Sequence, residues 1–416
     1  MNQNIKTKFP SGFYWGAATS AHQVEGGNVN DWSRWEKENA ERLAKKAGKH
    51  WKSPSRFHRA ETSWQKEKFP EMLNPENYIS GSACDHYNRY EEDFDIAKKL
   101  GHNAHRFSIE WSRIEPEEGK FNQKEIDHYR DVIRALKQRN LEPFVTLWHF
   151  TCPTWFADKG GWLNRKAVFY FTRYVEKIVS ELGSDVKFWI TLNEPVLYAF
   201  MSYLKGDWPP QIKMPKKFNK VVRIFVKAHR ESYKIIKDRN PLANVGIAKD
   251  NSYFSQFVWW CPFEWLIVKI LKYIVNESFL NKINKCQDFV GLNYYFHREI
   301  GLFRHKVKQE NKTDMGWEIC PEGIYHVLKD LKKYDKPVYI LENGIADADN
   351  SKREKFIEDH LIWVRKAMDD GVDVRGYFHW SLLDNFEWDK GFWPKFGLVR
   401  VCKGTLDREI KGSVLE

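Results

Sequence analysis

The sequence predicts a closed (β/α)8 barrel, an α/β fold with elaborated loops at the C-terminal face of its strands. Three observations lead there. A short apolar run followed by a longer helical stretch recurs about eight times along the 416 residues. No Pro/Gly/Ser-rich linker or low-complexity segment divides the chain, so residues 1–416 read as one barrel domain. The apolar runs stop at polar residues, and in such barrels the functional groups gather at that end of the strands.

The runs are Phe13–Ala18, Asn103–Ile109, Pro143–His149, Val186–Leu192, Val245–Ala248, Phe289–Tyr295, Pro337–Leu341 and Val374–Trp380. Each is short and rich in β-branched and aromatic residues, which suits buried parallel strands. Between them lie helical patterns. Tyr87–Leu100 places Tyr87, Tyr90, Phe94, Ala97 and Leu100 on one face and stops at Gly101. Asn164–Leu182 opens on a candidate Asn cap and ends at Gly183, and Ser351–Met368 opens on a candidate Ser cap with Glu354 three residues on. The polar, Trp-rich piece Asn28–Ser80 fits no strand–helix unit and reads as a long loop after the first strand, covering the functional face.

Phe257–Val275, FVWWCPFEWLIVKILKYIV, approaches the length of a membrane span but is interrupted by Pro262, Glu264, Lys269 and Lys272. Lys269, Lys272 and Asn276 share one helical face, and the rest is apolar nearly all round. The expectation is a buried or groove-lining helix. The alternative is an exposed patch that meets a lipid surface or a partner.

Composition narrows the function. A net charge of +11 comes from charges that are mixed along the chain, with no Arg-rich tail, so a solvated basic surface is expected and nucleic acid is not. Cys84, Cys152, Cys261, Cys286, Cys320 and Cys402 form no C-x-x-C pair and no zinc spacing, and read as reduced thiols. The leading MNQNIKTKFP has no apolar core of a secretory signal, which points to the cytoplasm. His102 and His105 read as structural, and no metal site is expected.

The polar residues at the strand ends suggest the chemistry. The first run leads to Gln23. Strand 2 carries Arg106 and ends near Glu110, strand 3 ends at His149, and strand 4 ends at Asn193 and Glu194. Strand 6 ends at Asn293 and Tyr295, strand 7 at Glu342 and Asn343, and strand 8 at Trp380, with Glu387 and Trp388 beyond. Strand 5 ends near Asp250 and Asn251, to which no role is given. Two glutamates among amides and aromatics are what cleavage of a glycosidic bond requires. One carboxylic acid protonates the leaving oxygen, and a second carboxylate attacks the anomeric carbon or activates water. Carboxyls about 5 Å apart imply retention, and about 6.5–9.5 Å inversion. Arg106 and the Tyr295 hydroxyl would keep Glu342 ionised. Glu194, facing that charge in a partly dry pocket, should keep its proton.

The pieces FYWGAATSAHQVEG, HYNRYEEDFDIAKKLGHNAHRFSIEWSRIEP, TLWHF, TLNEP, FVGLNYY, YILENG and YFHWSLLDNFEW, in this order, resemble glycoside hydrolase family 1, the β-glucosidase family, from near Phe9 to near Val401. The resemblance implies retaining exo-β-glycoside hydrolysis without a cofactor, on a small-molecule β-glycoside. It implies Glu194 as acid/base and Glu342 as nucleophile, with Arg106 and Tyr295 beside the nucleophile and Asn193 on the sugar 2-hydroxyl. Gln23, His149, Glu387 and Trp388 would bind hydroxyls, Trp380 would floor the sugar, and Trp317 would wall the aglycone side. Glu387, where members acting on 6-phosphorylated sugars usually have Ser, implies a non-phosphorylated sugar. The run His149-Phe150-Thr151-Cys152-Pro153 departs from the family, as does Leu341 before Glu342 and the short, apolar region Asn251–Asp288; these bear on the aglycone rather than on the reaction. The sugar stays open among glucose, galactose, fucose and mannose, as do the aglycone, the balance of hydrolysis against transglycosylation, and the oligomeric state. A barrel that binds glycosides or a partner without turnover is a second reading, set against by the presence of both glutamates. A peripheral membrane glycosidase for lipid-linked sugars, using 257–275, is a third.

Overall fold

The computed structural model describes residues 8–48, 63–301 and 309–412. The start of the leader reading (1–7) and part of the long insertion (49–62) lie outside the described residues. Eight strands close into a barrel in chain order. They are β1 (Tyr14–Ala18), β2 (Ala104–Ser108), β3 (Glu142–Thr146), β4 (Phe188–Asn193), β5 (Asn244–Gln256), β6 (Val290–Ile300), β7 (Val338–Asn343) and β8 (Val374–Trp380). Every neighbouring pair is parallel, and β8 returns to β1 with Gly376 opposite Tyr14.

Aromatic rings plug the N-terminal half of the barrel: Tyr14, Phe144, Phe188, Phe289, Tyr339 and Phe378. Phe144 stacks on Phe188 with centroids 4.1 Å apart, and Tyr339 meets Phe289 edge-on at 5.2 Å. So many rings fit only because small residues alternate with them. A Cβ on Gly246 would lie 2.6 Å from the Phe289 ring. The plug forms a dry floor, and the polar residues lie above it.

Helices surround the strands: α1 (Asp31–Gly48), α2 (His86–Lys99), α3 (Gln123–Gln138), α4 (Ala167–Leu182), α5 (Pro215–Arg239), α6 (Pro262–Lys272), α7 (Glu322–Leu331) and α8 (Arg353–Asp369). Two of the expected caps differ. Asn164 accepts from the Lys166 N–H in the loop, and α4 begins only at Ala167. At α8 the cap is a carboxylate from outside the helix, because Asp347 Oδ2 accepts the N–H groups of Lys352 and Arg353, displacing Ser351 from that role. The expected stop at Gly101 holds, with positive φ just after α2, and Gly371 takes positive φ in the same way just after α8.

Two longer corrections concern the periphery. The described part of the insertion after β1 is largely helical rather than a loop: α1 buries Trp32, Trp35, Ala40, Leu43, Ala44 and Ala47 along one face. It still covers the functional face, since Trp32 packs on Trp388 at 4.7 Å and on Trp208 at 5.4 Å. The second correction is at β5 and β6, which run on past the barrel rim and stay paired to Gln256 and Ile300. Strand 5 is thus far longer than the run Val245–Ala248. The ribbon carries α6, which the sequence reading expected to be buried or groove-lining, yet within α6 only Glu264 is buried. No described helix is long and apolar enough to cross a membrane.

The plug makes Phe144 a stability determinant. Phe144→Ala should destabilise the fold by about 4 kcal/mol, read as a lowered urea midpoint with an unchanged slope.

Candidate active site

The site is built around one guanidinium. Arg106, fully buried on β2, donates from Nη1 to Glu342 Oε1 at 2.6 Å and to the Leu341 carbonyl at 3.2 Å. Its Nη2 donates to Asn193 Oδ1 at 2.7 Å, and its Nε to Thr146 Oγ1 at 3.1 Å. One side chain therefore ties together β2, β3, β4 and β7. The Tyr295 hydroxyl donates to Glu342 Oε2 at 3.0 Å, so both oxygens of this carboxylate are held.

Strict alternation along β7 would turn Glu342 away from Leu341, which packs inside the barrel. The strand register shifts here instead, on both the β6 and the β8 side, and the shift turns Glu342 inward. A third shift, in β4 between Ile190 and Asn193, precedes Glu194. Glu194 adopts a left-handed backbone, φ 40 and ψ 53, before the short helix that Pro195 opens. Such a conformation in a non-glycine residue costs about 1–3 kcal/mol and persists only where surrounding contacts impose it. The ENG run has its own packing logic. Asn343 donates to the Tyr294 carbonyl and accepts from the Tyr377 hydroxyl, and a Cβ on Gly344 would lie 1.9 Å from the Trp380 carbonyl.

Asn293 neighbours both glutamates. Its amide nitrogen donates to Glu194 Oε1 at 2.8 Å and to Asn193 Oδ1 at 3.3 Å, and its proximity to Glu342 counts among the influences on that carboxyl. Burial raises the pKa of both carboxyls. At Glu342 the Arg106 charge and the donors Tyr295 and Asn293 act against that rise. At Glu194 the negative charges of Glu342 and Asp250 add to it. Glu194 is therefore the group that keeps its proton to higher pH.

The remaining predicted residues gather around this pair. His149 Nε2 lies 3.0 Å from the Asn193 amide nitrogen, an arrangement in which the ring accepts through Nε2. Burial, helped by the Arg106 charge, holds its pKa well down, so the imidazole is neutral, and its Nδ1 has no partner among the described residues. Asn293 Oδ1 is likewise unpartnered. Gln23 accepts from Ser20 and donates to the Phe386 carbonyl at 2.8 Å and to Glu387 Oε2 at 3.3 Å. Burial and the Glu342 charge push the Glu387 carboxyl up to about 8, against donors from Trp380 and Gln23. His149 lies between Trp380 and Trp388, at 5.9 and 5.8 Å. Trp317 meets Tyr295 edge-on at 5.9 Å, at the β6 side of the site.

Two strand-end residues are absent from this constellation. Glu110 caps a helical turn, taking the Ser112 hydroxyl, and accepts from Thr151; Asn343 is used up by its backbone ties. One pair was missed. Lys249, fully buried midway along β5 where the strand leaves the barrel, pairs with Asp250 Oδ1 at 2.9 Å, and both charges act on Glu194. A Lys-Asp dipeptide ending an apolar strand run was the available signal. The cysteines are all free, and no His/Cys/Asp/Glu cluster among the described residues is arranged to hold a metal ion.

Comparison with known proteins agrees with this geometry. The chain is 34% identical over 458 residues to a 1,4-beta-D-glucan glucohydrolase of Thermotoga neapolitana, covering 98% of this chain and 96% of the relative. Among solved structures it superimposes on a beta-glycosidase from Pyrococcus horikoshii with TM-score 0.84 and 36% identity, covering 98% of this chain and 93% of that one. A beta-glucosidase from Thermotoga maritima, in complex with castanospermine, matches with TM-score 0.78 and 31% identity over 98% and 97% of the two chains. The pattern described as Glycosyl hydrolase family 1 matches residues 5–256 and 268–415, and the chain, a β-glycosidase, belongs to that family.

Proposed function

We propose that Glu342 is the nucleophile and Glu194 the acid/base of a retaining exo-β-glycosidase acting on non-phosphorylated sugars, with glucosides, galactosides and fucosides as candidate substrates. The observation that carries this is a pair of buried carboxyls at the strand ends, Glu342 held by the Arg106 cation and the Tyr295 hydroxyl and Glu194 by the neutral Asn293 amide. A retaining mechanism, characteristic of the family, uses two such carboxyls set close together rather than across the wider gap that admits a water.

In the first step a Glu342 oxygen attacks the anomeric carbon while Glu194 gives its proton to the departing oxygen. The glycosyl ester removes the negative charge from Glu342, so the pKa of Glu194 falls and it can take a proton from water in the second step. Asn193, oriented by Arg106 and His149, faces the sugar 2-hydroxyl. The His149 Nδ1 proton and the Gln23–Glu387 pair take the remaining hydroxyls, with Trp388 beside them. Trp380 stacks beneath the ring, and Trp317 borders the aglycone. Glu387, with its raised pKa, can donate as well as accept, and it would repel a 6-phosphate once ionised. Asp250 and Lys249 are positioning residues that set the proton affinity of Glu194.

Glu342→Ala should lower turnover of p-nitrophenyl β-glycosides by roughly ten-thousandfold, and azide or formate should partly restore it with an inverted product. Full activity in that variant would remove Glu342 from the chemistry.

Glu194→Ala should slow alkyl glycosides far more than dinitrophenyl ones, whose leaving groups need no proton. It should also remove the alkaline limb of the pH–rate profile, the limb on which a raised-pKa acid is lost as pH rises. Equal losses on both substrates would argue against an acid role.

Asp250→Asn removes a charge that raises the pKa of Glu194, so the alkaline limb should move down by roughly one pH unit. A profile identical to wild type would separate Asp250 from the acid.

A further inference from the structure

Exposed apolar side chains on this molecule are not scattered. Of the fourteen large exposed hydrophobic residues described, eight lie between Trp259 and Ile274. Trp259 and Trp260 are 85% and 70% exposed in the turn before α6, and Phe263 is 70% exposed in its first turn. Leu266, Ile270, Tyr273 and Ile274 continue the stripe at helical spacing, with Trp265 beside it. The opposite face packs on the β5–β6 ribbon: Glu264 is turned inward and accepts the Val258 N–H at 2.7 Å, and Asn276 exchanges hydrogen bonds with Ser252.

A helix that puts its polar anchors inward and its aromatics outward has no cover among the described residues. The charges indicate which kind of cover. Glu264, the one carboxylate between residues 257 and 276, is buried, and Lys272 is paired with Asp330 at the foot of the helix, which leaves Lys269 as the charge on the crest itself. Lys269 lies over the Trp265 ring at 3.7 Å, and the chain carries +11 overall. Exposed Trp, Tyr and Phe flanked by lysine are suited to the boundary between lipid headgroups and acyl chains, where anionic lipids add attraction. The family pattern stops at residue 256 and resumes at 268, so the most exposed aromatics fall in the internal stretch it does not match.

We propose that the Trp259–Ile274 crest seats this chain on an anionic phospholipid surface. Its position connects docking to catalysis. β5 passes Glu194 at Asp250 and continues for six residues to Gln256, about 20 Å beyond the acid in the direction in which the barrel opens. A docked molecule therefore holds its site mouth near the bilayer, on the acid/base side, where the departing aglycone emerges. This consequence rests on the role proposed for Glu194; the docking itself does not.

The test is co-sedimentation of the full chain with vesicles of phosphatidylcholine alone and of phosphatidylcholine with phosphatidylserine. The same assay is run on Trp259→Ser/Trp260→Ser/Phe263→Ser. Wild type should pellet with the anionic vesicles, less with neutral ones, and the triple variant should lose roughly tenfold in partition. The variant should retain wild-type turnover of soluble p-nitrophenyl glycosides, which separates docking from the reaction. Brominated lipid should quench part of the wild-type Trp emission, a readout that needs no variant. No pelleting and no quenching overturns the proposal, as does equal pelleting of variant and wild type. A wild-type dimer that the triple substitution converts to monomer would assign the crest to a second copy of the chain and likewise overturn it.

Discussion

The buried fork of Arg106 is the constraint on which the site depends. A guanidinium taken wholly out of water is unfavourable unless its nitrogens find acceptors, and here all three do, at Glu342, the Leu341 carbonyl, Asn193 and Thr146. Meeting them requires β2, β3, β4 and β7 to sit in one mutual register. The same contacts place the proposed nucleophile and the amide next to the proposed acid in one rigid frame. A lysine could supply the charge but not the planar fork that joins two acceptors across the barrel.

The aromatic plug beneath gives this frame its electrostatic setting. Tyr14, Phe144, Phe188, Phe289 and Tyr339 exclude water from the barrel floor, so the charges above it interact in a medium of low polarisability. Burial alone would raise both glutamates alike. The difference between them comes from their neighbours, Arg106 and two donors at Glu342, and the charges of Glu342 and Asp250 at Glu194. Neutral His149 and the raised Glu387 extend the same principle outward, since each is kept in its uncharged form by burial close to like charge.

Around this centre the periphery is individual. α1 folds its tryptophans over Trp388 and so closes one side of the mouth. On another side β5 and β6 outrun the barrel and raise α6 above the rim. A barrel tolerates such additions because its stability resides in the closed sheet and the helices around it, while the loops at its C-terminal face are free to vary.

The sequence by itself determined the eight strands, most of the helices, and the identity of the groups that converge, because these depend on local periodicity and on short motifs. Arg106, Asn193, Glu194, Asn293, Tyr295 and Glu342 were all legible as residues where apolar runs pass through or stop. Only the tertiary structure decided how they point. Counting by twos would send Glu342 out of the barrel, and the register shifts that bring it in arise from the pairing of β7 with both neighbours. The Asp347 cap of α8 and the influence of Lys249 and Asp250 on Glu194 likewise come from contacts between segments. The same holds for α6. A helix apolar nearly all round carries no periodic signal saying which face will be covered, and that was settled by the length to which β5 and β6 remain paired. Periodicity reports what a segment can bury, whereas the rest of the fold supplies, or withholds, the surface to bury it against.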